Sequence, residues 1–117
     1  MKLLSSNDEV LLMAVRKLDD LAYGVTIRRE VSTATGVDWS IGAVYEPLYR
    51  LEKRGFVESF LTHPTGERGG RSKRIFRITR EGIAALAALQ RIREKLDHGS
   101  ERTGLARLAA KPGGRSY

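Results

Sequence analysis

Cysteine is absent from the 117 residues, which excludes disulfides, thiolate metal sites and a thiol nucleophile. Nothing in the chain demands an oxidising compartment. Long apolar runs are absent as well: no segment approaches the ~18 residues of a membrane span. The start, MKLLSSNDEV, has only a two-residue apolar run before polar residues, too short for a secretory signal core. A cytoplasmic location and no membrane partner are therefore expected. The chain also lacks a nucleophile elbow, a phosphate-binding glycine loop ahead of a helix, a His-x-x-x-His pair and a carboxylate couple in an apolar context. His63 and His98 lie far apart with no acidic residues at ligand spacing, and read as structural or incidental. No enzyme activity, metal or cofactor is expected.

Acidic side chains are in short supply, 14 against 21 basic ones, giving a formal net charge of +7. The excess points to an anionic partner, either nucleic acid or an acidic membrane surface. A chain this short forms one domain at most, and a second subunit would help it bury apolar surface. The basic charge is concentrated. Between Arg68 and Arg80, six of thirteen residues are Lys or Arg and none is acidic. Residues 99–117 carry four basic groups and one acidic group among Gly99, Gly104, Pro112, Gly113 and Gly114. Few large apolar groups accompany them, so this tail is expected to be poorly ordered apart from a turn around 105–110.

Periodicity gives helices first. Ser6 with Glu9 reads as a capping box, and Leu11, Ala14, Val15 and Leu18 recur at helical spacing before Gly24. A second helix has Thr26 as cap, Ile27, Val31 and Ala34 on one face, and Gly36 as its end. A third starts at Ser40 and stops at Gly55, with Val44, Leu48 and Leu51 on one side. After Gly55 the pattern changes: FVESFLT is rich in β-formers and RIFRIT alternates charged with apolar residues, so the two read as a hairpin around a glycine-rich basic loop. Helix returns after the Thr79 cap, with Ala85, Leu89, Ile92 and Leu96 spaced four, three and four apart. That seam suits helix pairing over about two heptads.

Three helices, a hairpin and a closing helix describe a mainly α fold with a small β-hairpin, the winged helix-turn-helix. The expected division is a DNA-binding domain at 1–78, a dimerisation helix at 79–98 and a basic tail at 99–117. In this fold the third helix enters the major groove of double-stranded DNA and the wing lies along the backbone. Opposite its buried side the third helix carries Gly42, Glu46, Tyr49, Arg50 and Lys53, with Ser40 and Ala43 near its start. Small residues there let the helix N-terminus approach phosphate. Tyr49, Arg50 and Lys53 are placed to reach bases or phosphates, and Tyr45, at the edge of the buried arc, divides between core and phosphate contact. Glu46 either accepts a hydrogen bond from a cytosine amino group or pairs with Arg50 one turn on. In the wing, Arg68, Arg71, Lys73 and Arg74 face DNA, while Gly66, Gly69 and Gly70 allow close backbone approach.

Each feature has a plainer reading beside it. The basic run is otherwise a solvated hairpin face, and Arg77 and Arg80 are ordinary surface charges. Trp39 either packs the turn between the second and third helices or stacks on an effector. The helical seam either joins two subunits or covers its own domain. A winged-helix module for protein or RNA contact through the basic surface is the alternative to a specific DNA binder.

Several separated motifs, spanning roughly residues 8 to 97, resemble those of the PadR family of bacterial transcriptional regulators. They are Tyr23-Gly24, Gly42 with Tyr45, Leu51-Glu52 with Gly55, Gly69-Gly70-Arg71, and Thr79 with Gly82. The resemblance implies a homodimeric winged-helix repressor binding a pseudo-palindromic operator, its C-terminal helix exchanging contacts with the partner subunit. It also implies release by an aromatic or amphipathic effector held near the dimer interface. Two departures stand out: in the third helix Glu46 follows Tyr45 and the proline comes at 47, and the C-terminal region offers only Thr79 to His98 for pairing, which resembles the compact branch of the family with a short C-terminal helix.

Overall fold

The structure is a computed structural model, and it describes residues 2–63 and 72–110, of which 98–110 are described in backbone only. In chain order it has α1 (Ser6–Leu18), a 3-10 turn (Asp19–Leu21), α2 (Gly24–Thr35), α3 (Ile41–Lys53), β1 (Val57–Leu61), β2 (Arg74–Ile78) and α4 (Arg80–Ala110). The expected order of three helices, hairpin and helix is present.

The helix boundaries follow their caps. Ser5, not Ser6, caps α1: its backbone is extended and its hydroxyl accepts from the Asp8 amide at 3.1 Å. Two adjacent serines offer the same chemistry and the earlier one takes the cap, while Glu9 is buried at 7% exposed. α2 begins at Gly24, two residues ahead of the expected cap. Thr26 sits inside its first turn, and its hydroxyl reaches back to accept from the Tyr23 amide at 3.0 Å. Gly36 ends α2 at φ 74°, the left-handed geometry glycine adopts without a Cβ penalty. Ser40 caps α3 by accepting from the Ala43 amide at 3.1 Å, as expected. Pro47 lies within α3 without interrupting it.

α1 packs on α2, α3 and β2, and α3 packs on β1. Leu11, Leu12, Val15, Ile27, Val31, Val44, Leu48, Leu51, Val57 and Phe76 are the largest fully buried side chains. Their removal from water supplies the main folding drive. The strands are antiparallel, with Val57 opposite Ile78, Ser59 opposite Phe76 and Leu61 opposite Arg74. β2 departs from simple alternation, because Ile75 and Phe76 are neighbours yet both are buried. One face of the hairpin meets the helical core. On its open edge β2 is bridged by the chain following the 3-10 turn, the Phe76 amide donating to the Ala22 carbonyl at 2.8 Å.

α4 differs most from expectation. It continues to Ala110, past residue 98 and through Gly99 and Gly104. Each glycine costs about 1 kcal/mol relative to alanine, a weak penalty in a segment otherwise rich in Ala, Leu, Arg and Glu. Residues 111–117 of the expected tail lie outside the described residues. The first compact unit runs from Met1 to Leu86, and the second from Ala87 onward. The first unit thus takes in the opening turns of α4 instead of closing at residue 78. The reason is local. The Thr79 amide donates to the Phe56 carbonyl at 3.0 Å and its hydroxyl to the Gly55 carbonyl at 2.6 Å, while the same hydroxyl accepts from the Gly82 amide at 3.0 Å.

Candidate nucleic-acid interface

The turn between α2 and α3 is held by Trp39. Its indole donates to the Thr35 hydroxyl at 3.0 Å, its amide to the Ser32 hydroxyl at 3.1 Å, and its carbonyl accepts from Arg28 Nε at 2.6 Å. With 7% of its surface exposed, Trp39 is a packing residue of the turn. This lattice sets the angle at which α3 leaves α2.

α3 buries Val44, Pro47, Leu48 and Leu51 and exposes Ser40, Gly42, Ala43, Glu46, Tyr49, Arg50 and Lys53. The sequence-derived face is therefore a contiguous solvent face. A Cβ built on Gly42 meets nothing within 4 Å, so packing does not demand glycine there. What the missing side chain leaves is open surface at the start of the helix. Glu46 and Arg50 form no ion pair with each other, unlike Lys17–Glu30, Arg28–Asp38 and Arg77–Asp20 elsewhere in the described residues. The pairing alternative for Glu46 thus falls away, and both side chains face solvent. Tyr45 is half-buried. Its ring stacks on Tyr49 with centroids 5.8 Å apart, lies 6.2 Å from Phe76, and brings its hydroxyl against Gly24 at the start of α2. Tyr49 remains 44% exposed.

The wing is described only at its root. Arg68, Gly69, Gly70 and Arg71 lie outside the described residues. At the last described pairing, the Thr62 amide donates to the Lys73 carbonyl at 2.8 Å and the Lys73 amide to the Thr62 hydroxyl at 2.9 Å. The Lys73 ammonium sits over the Tyr23 ring, 4.4 Å from its centroid, which ties the wing to the entrance of α2. The Arg74 guanidinium donates to the Ser59 hydroxyl at 3.0 Å, and that hydroxyl donates to Glu52 at 2.7 Å. Arg77 is an ordinary surface charge, paired with Asp20 at 2.8 Å and lying over Phe60.

Sequence reasoning passed over Ser59 and Tyr23 as site residues. The signal for Ser59 was its place two residues beyond Val57, on the same face of the strand as the core. Of the expected pairing seam, Ala85, Leu89 and Ile92 are half-buried and Leu96 is 68% exposed. Among the described residues no His, Cys, Asp and Glu cluster could hold a metal ion, and no helix is long and apolar enough to cross a membrane.

Against known families, residues 11–88 match the model of the transcriptional regulator PadR-like family. The chain belongs to that family. PadR-type proteins are DNA-binding transcriptional regulators and not enzymes. A PadR-like transcription factor from Bacteroides fragilis has a similar structure, with TM-score 0.68 and 16% identity, over 82% of this chain and 87% of that one. A PadR family regulator from Clostridium difficile aligns with TM-score 0.66 and 18% identity, over 85% of this chain and 98% of that one. A PadR-like regulator from Bacillus cereus aligns with TM-score 0.64 and 17% identity, over 82% and 88%. At such identities the likeness is one of fold. Comparison with curated proteins gives no match.

Proposed function

We propose that this PadR-type regulator is a cytoplasmic, homodimeric repressor that recognises a pseudo-palindromic operator. Two copies of α3 enter successive major grooves roughly one helical turn apart, and the wings lie on the flanking backbone. The observation that carries this reading is the open face of α3. Tyr49, Arg50 and Lys53 stand exposed beside Glu46, small residues at 42 and 43 clear the approach, and the opposite side is fixed in the core. Arg50 and Tyr49 read base edges, Glu46 takes a cytosine amino group, and Ser40, Lys53 and Lys73 meet phosphates. Release by an amphipathic effector fits a groove of about 420 Å³ between α1 and α2, lined by Val10, Met13, Ala14, Val31, Ala34 and Thr35 together with the charged Arg16, Lys17 and Glu30.

Selection of preferred duplexes from a random-sequence pool tests the proposal, followed by fluorescence anisotropy at near-physiological salt. The expected result is one palindromic duplex bound about 10³-fold or more tighter than a scrambled duplex of equal length. Arg50→Ala lowers that ratio by roughly 10- to 100-fold, the worth of a lost base contact. Equal affinity for every duplex overturns the reading and moves an RNA or protein partner to the front.

A further inference from the structure

The expected DNA-facing arginines of the wing include Arg74, and the hairpin register puts this side chain on the face that carries Phe76 and Val57. Arg74 lies opposite Leu61, and Ser59 lies opposite Phe76, so Arg74, Leu61, Ser59, Phe76, Val57 and Ile78 share one face of the hairpin, with Leu61 exposed at its outer end. Phe76 and Val57 on that face are buried in the core against the helices. Arg74 itself is half-buried, whereas Lys73 and Arg77 on the other face are exposed.

Its hydrogen bonds have one consistent direction. A guanidinium can only donate and a carboxylate can only accept, so the Ser59 hydroxyl between them takes one bond and gives the other. Arg74 Nη1 donates to Ser59 Oγ at 3.0 Å, and Ser59 Oγ donates to Glu52 Oε2 at 2.7 Å. The chain begins on β2, crosses β1 and ends on the last turns of α3. Formal charges sit at both ends, which strengthens each bond.

We propose that Glu52, Ser59 and Arg74 form a brace that fixes the wing against the C-terminal part of α3, making Arg74 a positioning residue and not a phosphate contact. The proposal rests on the DNA-reading role assigned to α3 and the wing. Its consequence is that the angle between reader helix and wing is set by a relay of three side chains, each from a different element. A second tie, Lys73 over Tyr23, holds the opposite face of the same hairpin root. Held from both faces, the wing meets the backbone in a fixed register relative to α3, and that register is what lets base contacts form.

The salt dependence of binding separates the two roles of Arg74. Loss of a phosphate contact lowers the slope of log affinity against log salt by about one. With a random-sequence duplex as probe, Arg74→Gln keeps the wild-type slope if the brace is correct, and a slope shallower by about one overturns it. This arm needs no operator. With the duplex selected by the wild-type protein and its scrambled counterpart, Ser59→Ala lowers discrimination roughly tenfold, the size of a lost charge-assisted bond. Ser59→Thr, which keeps the hydroxyl, retains discrimination. Loss in both variants, or in neither, overturns the brace. A wild-type protein with no preferred duplex overturns the operator reading instead. The remaining arm is then free of DNA: in thermal unfolding, Glu52→Ala and Arg74→Ala together lower the midpoint by less than the sum of the two alone. Strict additivity rejects the brace.

Discussion

Gly24 has no space for a side chain. A Cβ placed there runs into the Tyr45 ring, with the hydroxyl oxygen as the nearest atom. This contact seats α3 on the first turn of α2, since Tyr45 belongs to α3 and also reaches Phe76 of the hairpin. Gly24→Ala is therefore expected to destabilise the protein by about 1–3 kcal/mol through overpacking, seen as a lower thermal midpoint. Adding Tyr45→Phe removes the nearest obstructing atom and recovers part of the loss. An unchanged midpoint for the single variant means that the ring moves aside freely. Both residues stood out in the sequence, one in Tyr23-Gly24 and the other three positions beyond Gly42. That they touch was not legible, because each motif is local and the contact spans more than twenty residues of chain.

Caps decide the ends of the elements, and their legibility varies with how many residues compete for each role. Ser40 had no competitor and was readable; Ser5 and Ser6 competed, and so did Tyr23, Gly24 and Thr26 at the start of α2. Ser40→Ala should lower stability by about 1 kcal/mol, since the Ala43 amide loses its only side-chain acceptor. For a domain of this size that is a fall of roughly 4–8 °C in the thermal midpoint, measurable by circular dichroism. Ser40→Asp should restore most of it, because an aspartate at this position accepts the same bond. The length of α4 was harder to read. Gly99 and Gly104 are stop signals by composition, but a helix ends where its backbone finds a better partner than the next turn, and here it runs on to Ala110. The hairpin was readable as two β-rich runs around a basic loop. Its facing was not, since RIFRI places Ile75 and Phe76 side by side and both are buried. Arg74, read as a DNA-facing residue of the wing, is half-buried and bonded to Ser59.

At the scale of the whole molecule the basic excess and the α4 seam work together. A protein of net charge +7 is drawn to any duplex, and charge by itself distinguishes none. In the proposed mechanism selectivity comes from two reader helices at a fixed spacing, which requires two copies held together. The heptad-like seam marks a candidate pairing surface in the sequence, and the solvent face of α3 was legible there because exposure follows helical period. The seam offers the lever for the last test. Leu89 and Ile92 are half-buried and lie on one side of α4 with Leu96, which is 68% exposed. A leucine left so open on a helix beyond the first compact unit is a surface that gains by being covered. Leu89→Glu with Ile92→Glu places like charges on that strip, and sedimentation equilibrium should then report a monomer where the wild type is a dimer. Far-ultraviolet circular dichroism of the same sample should retain most of the helical signal of residues 2–86, because their core does not depend on the strip. The monomer should bind random duplexes within a few-fold of the wild type per subunit and lose preference for the selected one, as half-site recognition without a partner predicts. A dimer that survives both charges moves the subunit contact to another face, and full selectivity in a proven monomer removes the two-copy mechanism itself.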